Sequence, residues 1–196
     1  MPFLEKLRRS PATLALIALQ VVVFVAQAVN SGVADRLSLP GDLDGLSDRP
    51  WSPLTVMFVH ENIAHIAVMV LMLSAFGTLL EQTARTRDVV AVYLLAGLAG
   101  SFTALAVVAA VETDGTLVGA SAAVFGVAAA ILAMRPSSKV FGGTTTQWFA
   151  ALVGINVVFL LTQPLGSVAH LVGLAVGAAY GRWLLTRVGS RADERS

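Results

Sequence analysis

Long apolar runs separated by short polar segments are the feature that most limits what this chain can fold into. A helix that crosses a bilayer needs roughly 20 apolar residues. Hydrophobic residues make up 56% of the chain and charged residues 13%, against about 45–50% and about 25% in soluble domains. We therefore predict an all-α membrane protein with six transmembrane helices. The predicted spans are about Ala12–Val29, Leu54–Leu80, Val89–Val111, Leu117–Met134, Trp148–Leu161 and Val168–Leu185.

The spans also set the domain organisation. Residues 1–11 form a basic N-terminal segment, residues 12–185 the membrane domain, and residues 186–196 a polar tail. The basic start before an apolar run resembles a signal peptide, but the run is too long and lacks a clear cleavage site, so we interpret it as a retained span. The fifth run is short for a span, and we expect its helix to begin earlier, within Val140–Gln147.

Lys and Arg residues in the loops predict the orientation of the spans. Cytoplasmic loops of membrane proteins carry an excess of these residues. With the N-terminus inside, only Arg36 and Arg49 of the 13 Lys and Arg residues lie on the outer side. We therefore expect a multi-pass protein of the cell membrane with both termini in the cytoplasm. The predicted outer loops are Asn30–Pro53, Glu112–Thr116 and Thr162–Ser167.

Composition and spacing argue against several other classes of site. The chain has no Cys, which excludes disulfides and Cys-ligated metals, and its net charge of +1 gives no field that would attract nucleic acid. His60 and His65 nearly form the zinc motif H-E-x-x-H, but their spacing of five residues puts them about 140° apart on a regular helix. We therefore expect no metal and no other cofactor.

One serine and all the histidines of the chain share a single depth in this predicted topology. The second, fourth and sixth spans begin at the outer face. His60 falls in the first two turns of the second span, Ser121 about one turn into the fourth, and His170 near the start of the sixth. A helix rises only about 1.5 Å per residue, so these side chains lie at a similar shallow depth. Ionisable residues inside a membrane cost free energy, so we interpret this layer as a candidate functional site.

Ser121 and His170 have the chemistry of a nucleophile and its base. A neutral imidazole accepts a hydroxyl proton and later protonates a leaving amine. No Asp or Glu lies inside the spans at this depth, so we favour a Ser–His dyad over a triad. His65 and the backbone N–H of Ser121 suit the stabilisation of an oxyanion. A structural interpretation stays open, because polar side chains in membrane helices often only join helices, and for His60 we favour a hydrogen bond to the outer loop.

Small residues predict that the fourth and sixth spans approach closely, which the two side chains need in order to touch. Gly and Ala at helical spacing let the backbones of two membrane helices come together. His170 lies three residues before the first glycine of its span, on roughly the same face. Phe125, four residues after Ser121, would pack against the imidazole. The small residues are Gly173, Gly177 and Gly181 in the sixth span and Gly119, Ala122, Ala123 and Gly126 in the fourth.

Taken together, these residues resemble the rhomboid family of intramembrane serine proteases. Order and spacing agree over about Ala12–Leu185, nearly the whole chain, and a core of six spans is typical of bacterial members. The motifs that carry the resemblance are G-A-S at Gly119–Ser121, A-H-L-V-G-L-A-V-G at Ala169–Gly177, H-E-N-I-A-H at His60–His65, F-G-T-L-L-E at Phe76–Glu81, and Trp51 with Thr55.

The resemblance implies a fold, an activity and roles for the site. Ser121 would be the nucleophile, His170 the general base, and His65 with the Ser121 backbone N–H would line the oxyanion hole. The substrates would be single-pass membrane proteins in the lipid bilayer, cut near its outer face without a cofactor. The first outer loop would lie partly in the outer leaflet, and the loop Thr162–Ser167 would cap the site and move to admit substrate. The supporting residues would be His60, Gly119, Phe125, Gly173 and Gly177.

Three positions depart from the family pattern, and two other interpretations stay open. Met69 stands where Asn is usual, Ser52 where Arg follows the tryptophan, and Phe125 where Tyr is common. Because Met69 cannot donate a hydrogen bond, one alternative is a weak or inactive rhomboid-like protein that binds membrane helices without cutting them. Another is a small transporter or channel, which the scarcity of polar residues in the inner halves of the spans disfavours. The sequence makes no prediction about oligomeric state.

Overall fold

The computed structural model describes residues 3–111, 119–140 and 142–193, and it is built almost entirely from helices. Its helical segments include a 3-10 turn at Val56–Phe58 and a π-helical segment at Leu73–Gly77. The helices are α1 (Phe3–Arg8), α2 (Pro11–Val29), α3 (Ser31–Leu37), α4 (Leu43–Asp48), α5 (Ser52–Thr55), α6 (Ile63–Met72), α7 (Thr78–Thr83), α8 (Thr86–Val111), α9 (Ser121–Met134), α10 (Thr145–Phe159) and α11 (Pro164–Asp193).

The described residues also contain a short β-hairpin, which lies just before α10. The strands β1 (Lys139–Val140) and β2 (Gly143–Thr144) pair antiparallel, with Lys139 opposite Thr144. Thr144 then starts α10 through a capping box, in which its hydroxyl accepts from the Gln147 N–H and its own N–H donates to the Gln147 side chain. The expectation that the fifth helix begins before Trp148 is thus confirmed.

Four helical stretches in the described part of the chain are long and apolar enough to cross a membrane. α9 and α10 are also apolar but shorter, at 14 and 15 residues. The result is an all-α architecture suited to a bilayer, as the apolar runs predicted. The four stretches are Pro11–Val29, Ile63–Thr83, Thr86–Ala110 and Pro164–Arg187.

The start of the second predicted span is wrong, and a helix cap explains why. The helix begins at Ile63 rather than near Leu54, because the Asn62 side chain accepts the His65 N–H at 2.9 Å and caps α6. The preceding residues form α5, the 3-10 turn and an extended stretch. His60 therefore lies before the helix and not in its first two turns.

The starts of the fourth and sixth helices also differ from the predictions. α9 begins at Ser121, which is its first residue and not one turn inside, while the predicted start at Leu117 and the predicted loop Glu112–Thr116 lie outside the described residues. α11 begins at Pro164, where proline fits the first turn because it has no N–H to satisfy. The predicted loop Thr162–Ser167 is therefore largely helix.

The far end of α11 also departs from the predicted boundary between membrane domain and tail. The helix runs on to Asp193, past the expected end of the sixth span near Leu185. Its membrane-suited part ends at Arg187. Most of the predicted polar tail is thus a continuation of the last helix.

Helix α9 forms the centre of the bundle, and every residue from Ser121 to Ile131 is buried. α11 packs against it through the three glycines that the sequence singled out. A Cβ atom added at Gly173, Gly177 or Gly181 would collide with the backbone carbonyl oxygen of Ala122, Gly126 or Ala130, respectively. The predicted close approach of the two helices is confirmed, and it is a contact between backbones.

Glu81, in α7, anchors the start of α2. The buried Glu81 carboxylate accepts the backbone N–H groups of Ala12 and Thr13 at 3.0 and 2.9 Å, which places a negative charge at the start of α2. This contact gives the F-G-T-L-L-E motif a structural role.

The first loop contains α3 and α4, and side chains near α5 hold it. The Trp51 indole N–H donates to the Arg36 carbonyl at 3.0 Å, the Thr55 hydroxyl donates to the Leu37 carbonyl at 2.9 Å, and the Arg49 guanidinium donates to the Asp35 carbonyl. These are the last carbonyls of α3, which lack partners within the helix. Arg49, three positions before Ser52, therefore bonds to α3 within the same loop.

Candidate active site

Ser121 is presented at the N-terminus of α9 by a glycine turn. Gly119 has a φ of 131°, a conformation that L side chains rarely adopt, and its N–H donates to the Val56 carbonyl at 3.3 Å. The turn ties the start of α9 to the 3-10 segment. Ser121 itself is only 8% exposed, so its hydroxyl lies inside the bundle rather than at its surface.

The His170 imidazole lies directly against this hydroxyl. Ser121 Oγ and His170 Nε2 are 2.5 Å apart, within hydrogen-bonding distance. The Phe125 ring stands edge-on to the imidazole with 4.9 Å between ring centroids, which is the contact that the helical spacing predicted. The glycine contact one turn further along α11 brings the two helices close enough for this pair to meet.

Asn156 on α10 contacts the other side of His170, and the sequence reasoning did not assign it to the site. Its Oδ1 lies 2.6 Å from His170 Nδ1, and its Nδ2 donates to the Leu152 carbonyl at 2.7 Å. Asn156 is fully buried. The sequence did carry a signal, since Asn156 is the one amide in the apolar part of α10 after Gln147, and the chain turns directly from this helix into the helix of His170.

His65 lies beside the start of α9. A Cβ atom added at Gly119 would be 2.8 Å from His65 Cε1, 3.2 Å from His65 Nε2 and 3.6 Å from Ser121 Oγ. The imidazole thus fills the space that a side chain at position 119 would need. The backbone N–H of Ser121 belongs to the first turn of α9, where N–H groups have no partner within the helix. The His65 ring and the Ser121 N–H therefore both lie close to Gly119, at the start of α9.

His60 supports His65 but does not bond to the outer loop as expected. The two rings meet edge-to-face with 5.3 Å between centroids. His60 Nδ1 lies 3.2 Å from the Phe58 carbonyl, and the Gln27 side chain of α2 bonds both backbone polar groups of His60. The angle of 140° assumed for the two histidines is also wrong, because His60 precedes α6.

Two cavities meet at Ser121. The larger, about 760 Å³, lies between α6 and α10 and has mostly apolar walls, with His65, Met69 and His170 among its lining residues. Met69 follows His65 by one helical turn, so both project toward this cavity. The smaller, about 50 Å³, is lined by small residues such as Gly97, Gly100 and Ala122. The first turn of α11 borders both cavities, where a mobile loop was expected.

Comparisons with known proteins agree with this architecture. The Rhomboid domain family model matches residues 47–187, which is most of the chain. Rhomboid protease GluP from Bacillus subtilis (strain 168) is 27% identical over 161 residues, covering 79% of this chain and 29% of that protein. The chain thus spans less than a third of the relative's length. With the family model matching well over half of its residues, this multi-pass membrane protein belongs to the rhomboid family.

Proposed function

We propose that the protein is an intramembrane serine protease that cuts single-pass membrane proteins. The observation that carries the proposal is the 2.5 Å contact between Ser121 Oγ and His170 Nε2. It occurs where a cavity of about 760 Å³ reaches the hydroxyl. A buried hydroxyl and imidazole in contact, facing a space large enough for a peptide segment, meet the geometric requirements for a nucleophile and its base.

The two side chains supply the steps of peptide hydrolysis. Ser121 Oγ bonds to the scissile carbonyl carbon while its proton moves to His170 Nε2. The C–N bond then breaks as His170 returns this proton to the leaving amine, which leaves an acyl-enzyme. Water, activated by His170 in the same way, attacks the ester and restores the serine.

The negative charge that develops on the carbonyl oxygen needs donors that are already in place. The Ser121 backbone N–H at the start of α9 is one, and the His65 imidazole against Gly119 is the other. Such donors act most strongly where water is excluded. Met69 adds none, so the proposed oxyanion hole rests on two groups.

The position of the site supports cutting near the outer face of a cell membrane, with six spans and both termini in the cytoplasm. Arg85, Arg87 and Arg187 line one cavity with Met134, the last residue of α9. Ser121 is at the opposite end of the same helix. Basic residues favour the cytoplasmic side, so the end that carries Ser121 points outward.

Cleavage of a tagged single-pass substrate in liposomes tests the proposal. The wild-type protein should release a fragment, and Ser121→Ala should release none. A fluorophosphonate probe should label the wild type at Ser121 and leave the variant unlabelled. Equal cleavage by both proteins would overturn the proposal. Capture of uncut substrate without labelling would instead favour a rhomboid-like protein that binds membrane helices.

Restoring a hydrogen-bond donor at position 69 is expected to raise turnover. Met69 is buried on the cavity side of α6, one turn after His65, so an amide in Met69→Asn would face the same space. One oxyanion donor contributes roughly 10²–10³-fold where it is essential. We expect an increase in kcat of about 10-fold, because two donors are already present.

Met69→Leu is the matched control for this prediction. It keeps the apolar volume and adds no donor, so its kcat should stay near that of the wild type. Single-turnover cleavage in detergent measures both variants. An unchanged kcat in Met69→Asn would mean that His65 and the Ser121 N–H already suffice.

A further inference from the structure

We propose that Asn156 is a positioning residue, which holds His170 with its proton on Nδ1 and its Nε2 lone pair toward Ser121. This inference rests on the proposed function, and it turns the expected Ser–His dyad into a chain of three side chains. Asn156 Oδ1 and His170 Nδ1 are 2.6 Å apart, and His170 Nε2 and Ser121 Oγ are 2.5 Å apart. The imidazole is thus bonded on both nitrogens.

The direction of the Asn156 amide decides the tautomer. Its Nδ2 donates to the Leu152 carbonyl at 2.7 Å, one turn back on α10. A flipped amide would place Oδ1 against that carbonyl oxygen, where two acceptors repel. Oδ1 must therefore face His170, and since a carbonyl oxygen only accepts, Nδ1 carries the proton. The Nε2 atom is then the acceptor that a general base needs.

A neutral amide, rather than a carboxylate, suits the buried apolar surroundings of position 156. Asn156 is fully buried, on a helix flanked by apolar exposed residues such as Ile155 and Val157. An ionised carboxylate there would have to leave water for an apolar interior, at a large cost. A neutral amide offers the same acceptor oxygen without that cost. It orients the imidazole and fixes its tautomer, which is the role of the third member in serine and cysteine hydrolases.

Three variants separate this role from a merely structural one. Asn156→Leu keeps the volume but removes the acceptor, and we expect kcat to fall about 100-fold with KM changed less than about twofold. Asn156→Asp keeps an acceptor oxygen, ionised or not, and should recover most of the lost activity. Gln20→Leu is the control, because it removes another buried amide, bonded to the Tyr93 hydroxyl at 3.0 Å on α8. It should lower the unfolding temperature and leave kcat unchanged.

A spectroscopic readout tests the tautomer without any turnover. Nitrogen-15 spectra of labelled His should show the Nδ1–H tautomer for His170, identified by the signal that disappears in His170→Ala. In Asn156→Leu that preference should be lost. An Nε2–H tautomer in the wild type, or a kcat of Asn156→Leu within about threefold of the wild type, would overturn the inference. If the wild type cleaves and Ser121→Ala does not, such a result refutes the role of Asn156 alone.

Discussion

Replacement of His170 by alanine is expected to lower turnover by at least about 10³-fold. The imidazole is the proposed base and contacts Ser121 Oγ, so without it the hydroxyl should keep its proton at neutral pH. Labelling of Ser121 by a fluorophosphonate should slow in parallel, because that reaction needs the same activated oxygen. Rates of fragment release and of labelling, measured in the same liposomes, check both statements.

The double variant Ser121→Ala/His170→Ala supplies the control for this prediction. Two groups that act as one unit give non-additive losses, so the double variant should be no slower than either single variant. Losses that multiply would mean that Ser121 and His170 act independently, against the proposed mechanism. The unfolding temperature of each variant should stay near that of the wild type, which separates lost chemistry from lost fold.

The second large effect is expected at Gly177, where substitution by alanine should destabilise the bundle. Its added Cβ would collide with the carbonyl oxygen of Gly126, a backbone atom that cannot rotate away. α9 and α11 would have to separate, at a cost of about 3 kcal/mol. Cleavage should also fall, because the same separation pulls His170 from Ser121. Thermal unfolding in detergent and the cleavage rate measure the two effects.

Gly154→Ala makes the same chemical change at a site with room for it. A Cβ at Gly154, on α10, meets no atom within 4 Å. The higher helix propensity of alanine should leave this variant as stable as the wild type or more stable by up to about 1 kcal/mol. Equal unfolding temperatures for Gly177→Ala and Gly154→Ala would show that α9 and α11 tolerate a wider separation.

The apolar runs and the glycine spacing predicted the architecture because each follows directly from a physical requirement of membrane helices. An apolar run of span length has no better environment than a bilayer, and glycines four apart form one small face on a helix. These signals were enough to predict that α9 and α11 touch. Together with the Lys and Arg residues of the loops, the apolar runs also predicted one layer for Ser121, His170 and His65.

The helix starts were missed because short-range contacts decide them. Asn62 caps α6 and Pro164 opens α11, and both residues lie inside or beside runs whose hydropathy continues past them. Average hydropathy does not register a single capping side chain. Because these starts were missed, His60 was predicted to lie inside a helix, and the first turn of α11 was predicted to be a loop.

Asn156 was missed for a different reason. The spans carry no carboxylate at the depth of Ser121, which favoured a dyad, but an amide can also bond an imidazole nitrogen. Whether an amide on α10 meets an imidazole on α11 depends on the rotation of both helices, which a single apolar pattern does not specify. Arg49 is a similar case, since its contact with the Asp35 carbonyl depends on how the first loop folds.

The glycine contact between α9 and α11 also determines how the site responds to its surroundings. Contacts between side chains can rearrange among rotamers when a bilayer thins, thickens or changes composition. Gly173 and Gly177 have no side-chain rotamers, so at these two positions the spacing of the helices that carry Ser121 and His170 is set by contact with backbone atoms. We therefore expect the distance between Ser121 Oγ and His170 Nε2 to change little when the lipids around the bundle change.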